Sequence, residues 1–172
     1  LCKLMLSLDP VGDPLGVTLM IDFYALRANQ HAWLVRFYSE WESAGRNLSQ
    51  LPNFAYAVAV GYFYTARQTV DGKDIVDETL AESSNEALQK ALIMFPGVLL
   101  PLLDKCSIEP DKKAAGHKFF LDAQAPPDSS STQSRGLAML CALYVGRSFH
   151  IWKDPDLLPW LEENVTKVIE RV

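Results

Sequence analysis

The chain has 172 residues, 49% of them hydrophobic and 22% charged, which excludes a disordered segment and is enough to bury a core. Its net charge is −5 and its longest basic run is Lys112-Lys113, so it lacks the basic face that grips nucleic-acid phosphates, and no direct DNA binding is expected. No segment reaches the ~20 apolar residues that cross a bilayer. The richest run, Phe54 to Tyr64, is too short.

Leu1, Leu4, Met5 and Leu8 fall at i, i+3, i+4 and i+7, one stripe of a helix. Leu1 is not an initiator methionine, and Asp9-Pro10 closes the stripe too early for a signal peptide. The chain is therefore expected to begin inside a longer protein. Asp13-Pro14 has the order of a cap followed by a first-turn proline, and Leu15, Leu19, Phe23 and Leu26 form the next stripe. Ala28-Asn29 closes it. Trp33, Leu34, Phe37, Tyr38 and Trp41 mark another helix, which Gly45 ends. A third runs from Pro52 to about Arg67 and is apolar almost all round, as a helix buried between neighbours is. Gly61 and the alanines would let a neighbouring helix come close.

Residues 69–84 read as a connection with a turn at Asp71-Gly72, and Ser83 with Glu86 reads as a capping box. Ala87, Leu88, Ala91, Leu92 and Phe95 then repeat the spacing of Trp33 to Trp41, each 54 residues later. Pro96-Gly97 breaks the chain before a short apolar helix to Cys106. The stretch 109–133 is rich in Pro, Asp, Ser and Lys, with Ala125-Pro126-Pro127-Asp128 and Ser129-Ser130-Ser131 expected as a mobile loop. Leu137, Leu140, Cys141 and Tyr144 restore a helical stripe, and Leu158, Leu161, Val165, Val168 and Ile169 mark the last helix. The pattern predicts an all-α fold of antiparallel helix pairs, stacked as a TPR-like α-solenoid in one domain over 1–172.

The side chains that carry chemistry are scattered. His31, His117 and His150 have no Cys, His or carboxylate at ligand spacing, so no metal site is expected. There is no nucleophile elbow and no glycine-rich phosphate loop, and hence no catalytic residue and no cofactor. Cys2, Cys106 and Cys141 are odd in number and set in apolar stretches, which fits buried free thiols in a reducing compartment. Asp22 lies on an otherwise apolar helix, and a helix–helix hydrogen bond or a solvated edge explains it better than catalysis. Trp33 and Trp41 share a core stripe. Trp152 and Trp160 flank a proline-rich turn and are the better candidates for a partly exposed contact.

Longer segments carry a resemblance. Leu4-Met5-Leu6-Ser7-Leu8-Asp9-Pro10, Ile21-Asp22-Phe23-Tyr24-Ala25-Leu26-Arg27 and Arg46-Asn47-Leu48-Ser49-Gln50-Leu51-Pro52-Asn53 resemble the transcription factor 25 family. So do Met94-Phe95-Pro96-Gly97-Val98-Leu99-Leu100-Pro101, Leu143-Tyr144-Val145-Gly146-Arg147-Ser148, Trp152-Lys153-Asp154-Pro155 and Trp160-Leu161-Glu162-Glu163-Asn164-Val165. That family is also known as subunit 1 of the ribosome quality control complex. The resemblance implies a scaffold in the cytosol, with the nucleus as a second location. Its partners would be the stalled large ribosomal subunit, the Listerin ubiquitin ligase, ubiquitin and the Cdc48 or p97 unfoldase. It implies help in building lysine-48-linked chains on stalled products. A nuclear regulator acting through protein contacts is the alternative. The connections 46–53 and 147–154 are polar, non-repetitive and among the segments that match the family best, so Arg46, Asn47, Asn53, Arg147, Trp152 and Lys153, with Trp160 just beyond the turn, are the expected partner contacts. Replacing Arg46, Asn47 and Asn53 together is expected to weaken binding without lowering the melting temperature.

Overall fold

The computed structural model describes residues 1–70, 73–124 and 134–172. Among these the chain is mostly helical. Its helices are α1 Cys2–Leu8, α2 Ile21–Arg27, α3 His31–Ser43, α4 Pro52–Ala66, α5 Glu78–Met94, α6 Leu99–Cys106, α7 Lys112–Gly116, α8 Lys118–Asp122, α9 Arg135–Ser148 and α10 Leu157–Ile169. One antiparallel ribbon, β1 Arg67–Val70 with β2 Lys73–Val76, joins α4 to α5. Short 3-10 turns precede α2, α4, α6 and α10.

The apolar run from Pro52 organises the rest. Pro52 sits at the first helical position, where its missing N–H costs nothing, and 11 of the 15 residues of α4 are buried. Helices α2, α3, α5 and α9 all pack on it. At Gly61 α3 comes close: a Cβ there would lie 3.2 Å from the Val35 side chain and 3.7 Å from that of Leu34. The two similar stripes lie on the helices that flank α4, with Leu34 and Phe37 buried on α3 and Leu88, Ala91 and Leu92 buried on α5.

Several local expectations change. The stretch 69–84 is not a connection: it holds the ribbon, paired from Arg67 with Val76 to Val70 with Lys73, and the first turns of α5. The capping box at Ser83 and Glu86 is likewise displaced. Asp77 caps α5 instead, its carboxylate accepting from the N–H groups of Thr79 at 3.0 Å and Leu80 at 3.1 Å. An aspartate at that position satisfies two orphan donors earlier in the chain, so the helix starts there. The stretch 109–133 contains α7 and α8, which bury Ala114 and Phe120. The Asp71-Gly72 turn and the Ala125 to Ser131 loop lie outside the described residues. Asp13 does act as a cap, accepting from Val17 N–H at 2.7 Å and Thr18 N–H at 2.9 Å, but the helix proper waits until Ile21 and Leu15 is left exposed.

From α2 to α5 each helix touches its neighbour in the chain. Beyond Met94 the direction changes. The Phe95-Pro96 elbow sets α5 at 87° to the segment that carries α6, because one residue and a 3-10 turn leave no room for a hairpin loop. Then α9 returns to α4 and α6, and α10 returns to α5. No single helix among the described residues is long and apolar enough to cross a membrane, although the bent pair Glu78–Met94 and Pro96–Cys106 passes by length and composition together. Leu88, Leu92, Val98, Leu99 and Leu102 of that pair are buried in the core.

Candidate functional site

Asp22 enters the fold in the first turn of α2, with 1% of its side chain exposed. A buried carboxylate needs a partner, and two arrive from distant helices. The Arg147 guanidinium, on α9, donates to Asp22 Oδ2 at 2.7 Å, and the Asn53 amide, on α4, donates to Asp22 Oδ1 at 2.9 Å. The Asn53 amide also reaches the Thr18 carbonyl at 3.2 Å, and the other arm of Arg147 donates to the Leu19 carbonyl. Burial pushes the Asp22 carboxyl above its ordinary value, with the Arg147 charge and the Asn53 amide pulling the other way. The cluster ties α2, α4 and α9 into one body. Of the two readings offered for Asp22, the helix–helix bond holds and the solvated edge does not.

That geometry turns four of the expected partner contacts toward the interior. Asn53 is buried, and the two terminal nitrogens of Arg147 donate to Asp22 and to the Leu19 carbonyl. Trp152 is 1% exposed and Trp160 is 6% exposed, because both are core fillers with satisfied N–H groups. Trp152 Nε1 donates to the Tyr144 hydroxyl at 2.9 Å, and Trp160 Nε1 donates to Asn85 Oδ1 at 2.8 Å. The two indoles stack with centroids 6.3 Å apart and planes 5° apart. Tyr144 in turn stacks on Tyr56, 5.5 Å between centroids.

Arg46, Asn47 and Lys153 remain exposed. Asn47 adopts φ 51° at the start of a 3-10 turn that buries Leu48. Glu42 staples this loop by accepting from Ser49 N–H at 3.2 Å and from the Ser49 hydroxyl. Arg46 lies over the Trp41 ring at 5.2 Å, and Lys153 over the Phe149 ring at 5.2 Å. The turn around Lys153 is fixed by Asp154, which accepts from the Tyr64 hydroxyl at 2.6 Å and from Asp156 N–H at 2.9 Å. These cations therefore sit on loops held at fixed geometry.

Sequence reasoning missed a second buried cluster. Gln89 donates to Asn164 at 2.8 Å, and Asn164 donates to Asn85 at 3.1 Å and to the Trp160 carbonyl at 2.9 Å, locking α5 to α10. Asn164 lies beside Val165 on the apolar face of its helix, and that displaced amide was the available signal. His31 is half-buried and stacks on Tyr64 at 4.7 Å, so burial lowers its pKa. The Cys106 and Cys141 thiols are buried, Cys141 pushed up to about 11 by that burial, while Cys2 is half-buried. Among the described residues no three of His, Cys, Asp and Glu are grouped to hold a metal ion.

The profile of the Tcf25 family, described as Transcriptional repressor TCF25, matches residues 1–172. The chain belongs to the TCF25 family. Among TCF25 relatives, the proteins named Ribosome quality control complex subunit TCF25 in Mus musculus and Homo sapiens are 47% and 46% identical to it, each over 99% of this chain. Ribosome quality control complex subunit 1 of Schizosaccharomyces pombe is 29% identical over 96% of the chain. The chain spans 24% of the length of the mouse and human TCF25 proteins and 21% of the yeast one. No solved structure matches. In this TCF25-family chain the match takes in both the tie at Asp22 and the loops that present Arg46 and Lys153.

Proposed function

We propose that this chain is a non-catalytic scaffold within a ribosome quality control complex on stalled large ribosomal subunits. The observation that carries the reading is the match, over nearly the whole chain, to relatives named as subunits of that complex. The geometry supports the non-catalytic part. The buried carboxylate Asp22 is spent on Arg147 and Asn53. Helices α2 to α5 would act as a TPR-like stack that presents Arg46 and Asn47 at fixed positions to a protein partner, with Lys153 held on the turn before α10. In that role the chain assists Listerin in building lysine-48-linked ubiquitin chains before Cdc48 or p97 extracts the stalled product. Linkage choice then comes from orientation of the acceptor ubiquitin, an effect that needs no acid or base from the scaffold. The compartment is the cytosol.

The test is capture of stalled large ribosomal subunits and Listerin by the 172-residue chain, with Arg46→Glu and Lys153→Glu as surface variants. Capture that these variants weaken, with melting temperature unchanged, supports the reading. Failure of the chain to capture either partner, while the longer relative does so, overturns it for this segment. A second reading is a nuclear regulator acting through protein contacts, favoured by the family's description as a transcriptional repressor. Localisation to chromatin without ribosome association would favour that one.

A further inference from the structure

A cleft of about 100 Å³ lies where α6, the loop before α7, and α10 meet. Its floor is aliphatic, formed by Leu99, Leu103, Leu161 and Val165. Its rim is acidic. Glu109, Asp111 and Glu162 line it, all three are exposed, and among the described residues none of them takes part in an ion pair. Asp111 stands at the N-cap position of α7 yet its side chain caps nothing. Lys112 and Lys113 follow it in sequence but do not line the cleft. Thr166 at the mouth is self-satisfied, its hydroxyl donating to the Glu162 carbonyl at 3.0 Å.

We propose that this cleft docks a partner protein segment that presents one bulky aliphatic side chain flanked by lysine or arginine. Volume sets the first half: an apolar cavity of about 150 Å³ accepts benzene, so this one takes roughly a single aliphatic side chain. Charge sets the second: a ring of three carboxylates around an apolar floor complements cations spaced around an apolar anchor, and rejects acidic segments. The floor supplies the burial, and the rim supplies the choice of partner. Neither Arg46 nor Lys153 lines the cleft, and the proposal does not depend on the ribosomal reading.

The probe is a fluorescein-labelled peptide, Gly-Lys-Leu-Leu-Lys-Lys-Ile-Leu-Lys-Gly, titrated with the 172-residue chain and followed by anisotropy. Two companions replace its lysines with glutamate or its leucines and isoleucine with serine. The expected result is saturable binding of the first peptide alone. Glu109→Lys with Glu162→Lys should weaken it roughly tenfold, and Thr166→Trp, which blocks the mouth, should abolish it, both with unchanged melting temperature. Glu82→Lys with Glu86→Lys, both exposed on α5, changes net charge equally and should leave binding intact. Equal loss with that control pair, or equal binding of the serine peptide, reduces the effect to attraction by an acidic protein and overturns the proposal. So does sedimentation showing a dimer dispersed by Thr166→Trp, since the occupant is then a second copy of this chain.

Discussion

Replacing Arg147 with methionine would leave the Asp22 carboxylate, 1% exposed, with only the Asn53 amide. Removing one partner of a buried pair costs about 3–5 kcal/mol. Asp22→Leu should cost less, because the Arg147 side chain keeps 18% of its surface and can turn to water. The double variant should be more stable than Arg147→Met alone, read by urea unfolding. A double variant no better than that single one would show that the charge left behind is not what destabilises it. Asn53 belongs to the same cluster, so the triple replacement of Arg46, Asn47 and Asn53 should lower the melting temperature through Asn53, contrary to the sequence-based expectation. His31 gives a pH test. Burial against Tyr64 holds its folded pKa below the ordinary 6.5, so between the two values the unfolded chain binds the proton that the folded chain refuses. Its contribution to stability is full above 6.5 and is lost as pH falls from there through the folded pKa. His31→Phe should flatten the stability profile over that acid-side window, and an unchanged profile would refute the assignment.

At the scale of elements, the α3–α4 contact is a close approach at Gly61. Gly61→Leu cannot fit where even a Cβ meets Val35 at 3.2 Å, and overpacking of this kind costs about 1–3 kcal/mol. Gly61→Ala should come close to neutral, since a gain of about 1 kcal/mol in helix propensity offsets the small shift demanded of Val35. Thermal melts of the two variants separate steric from backbone effects. The helices around this contact were legible in the sequence because Trp33 to Trp41 and Pro52 to Tyr64 carry their signal within a few turns. The ribbon was not, since its two strands are four residues each and fall below any useful period. The start of α5 was misplaced because Ser83 and Glu86 make the same pattern inside a helix that Asp77 opens. The partner surface was legible only in part. Arg46 and Lys153 look no different in sequence from Arg147, whose role depends on an aspartate 125 positions away.

At the scale of the whole molecule, α9 and α10 close a body that α2 to α5 begin. Trp160 packs on Phe63 with ring centroids 4.6 Å apart, and Asn164 completes the amide cluster on α5. A chain ending at Gln124 would expose this apolar surface and strand Asp22. It should lose the cooperative thermal transition and the near-ultraviolet dichroism of its packed aromatics, while keeping much of its helical far-ultraviolet signal. A sharp transition in that shortened chain would show that the N-terminal helices are self-sufficient. The tie from Asp22 to Arg147 also sets an order of arrival during synthesis. At about 5–20 residues per second, roughly 6–25 s separate the emergence of its two ends. Through that interval the carboxylate has no guanidinium and stays in water, so α2 cannot seat fully until Arg147 has been made. The stability of the finished protein and the vulnerability of its growing form are two faces of one long-range bond.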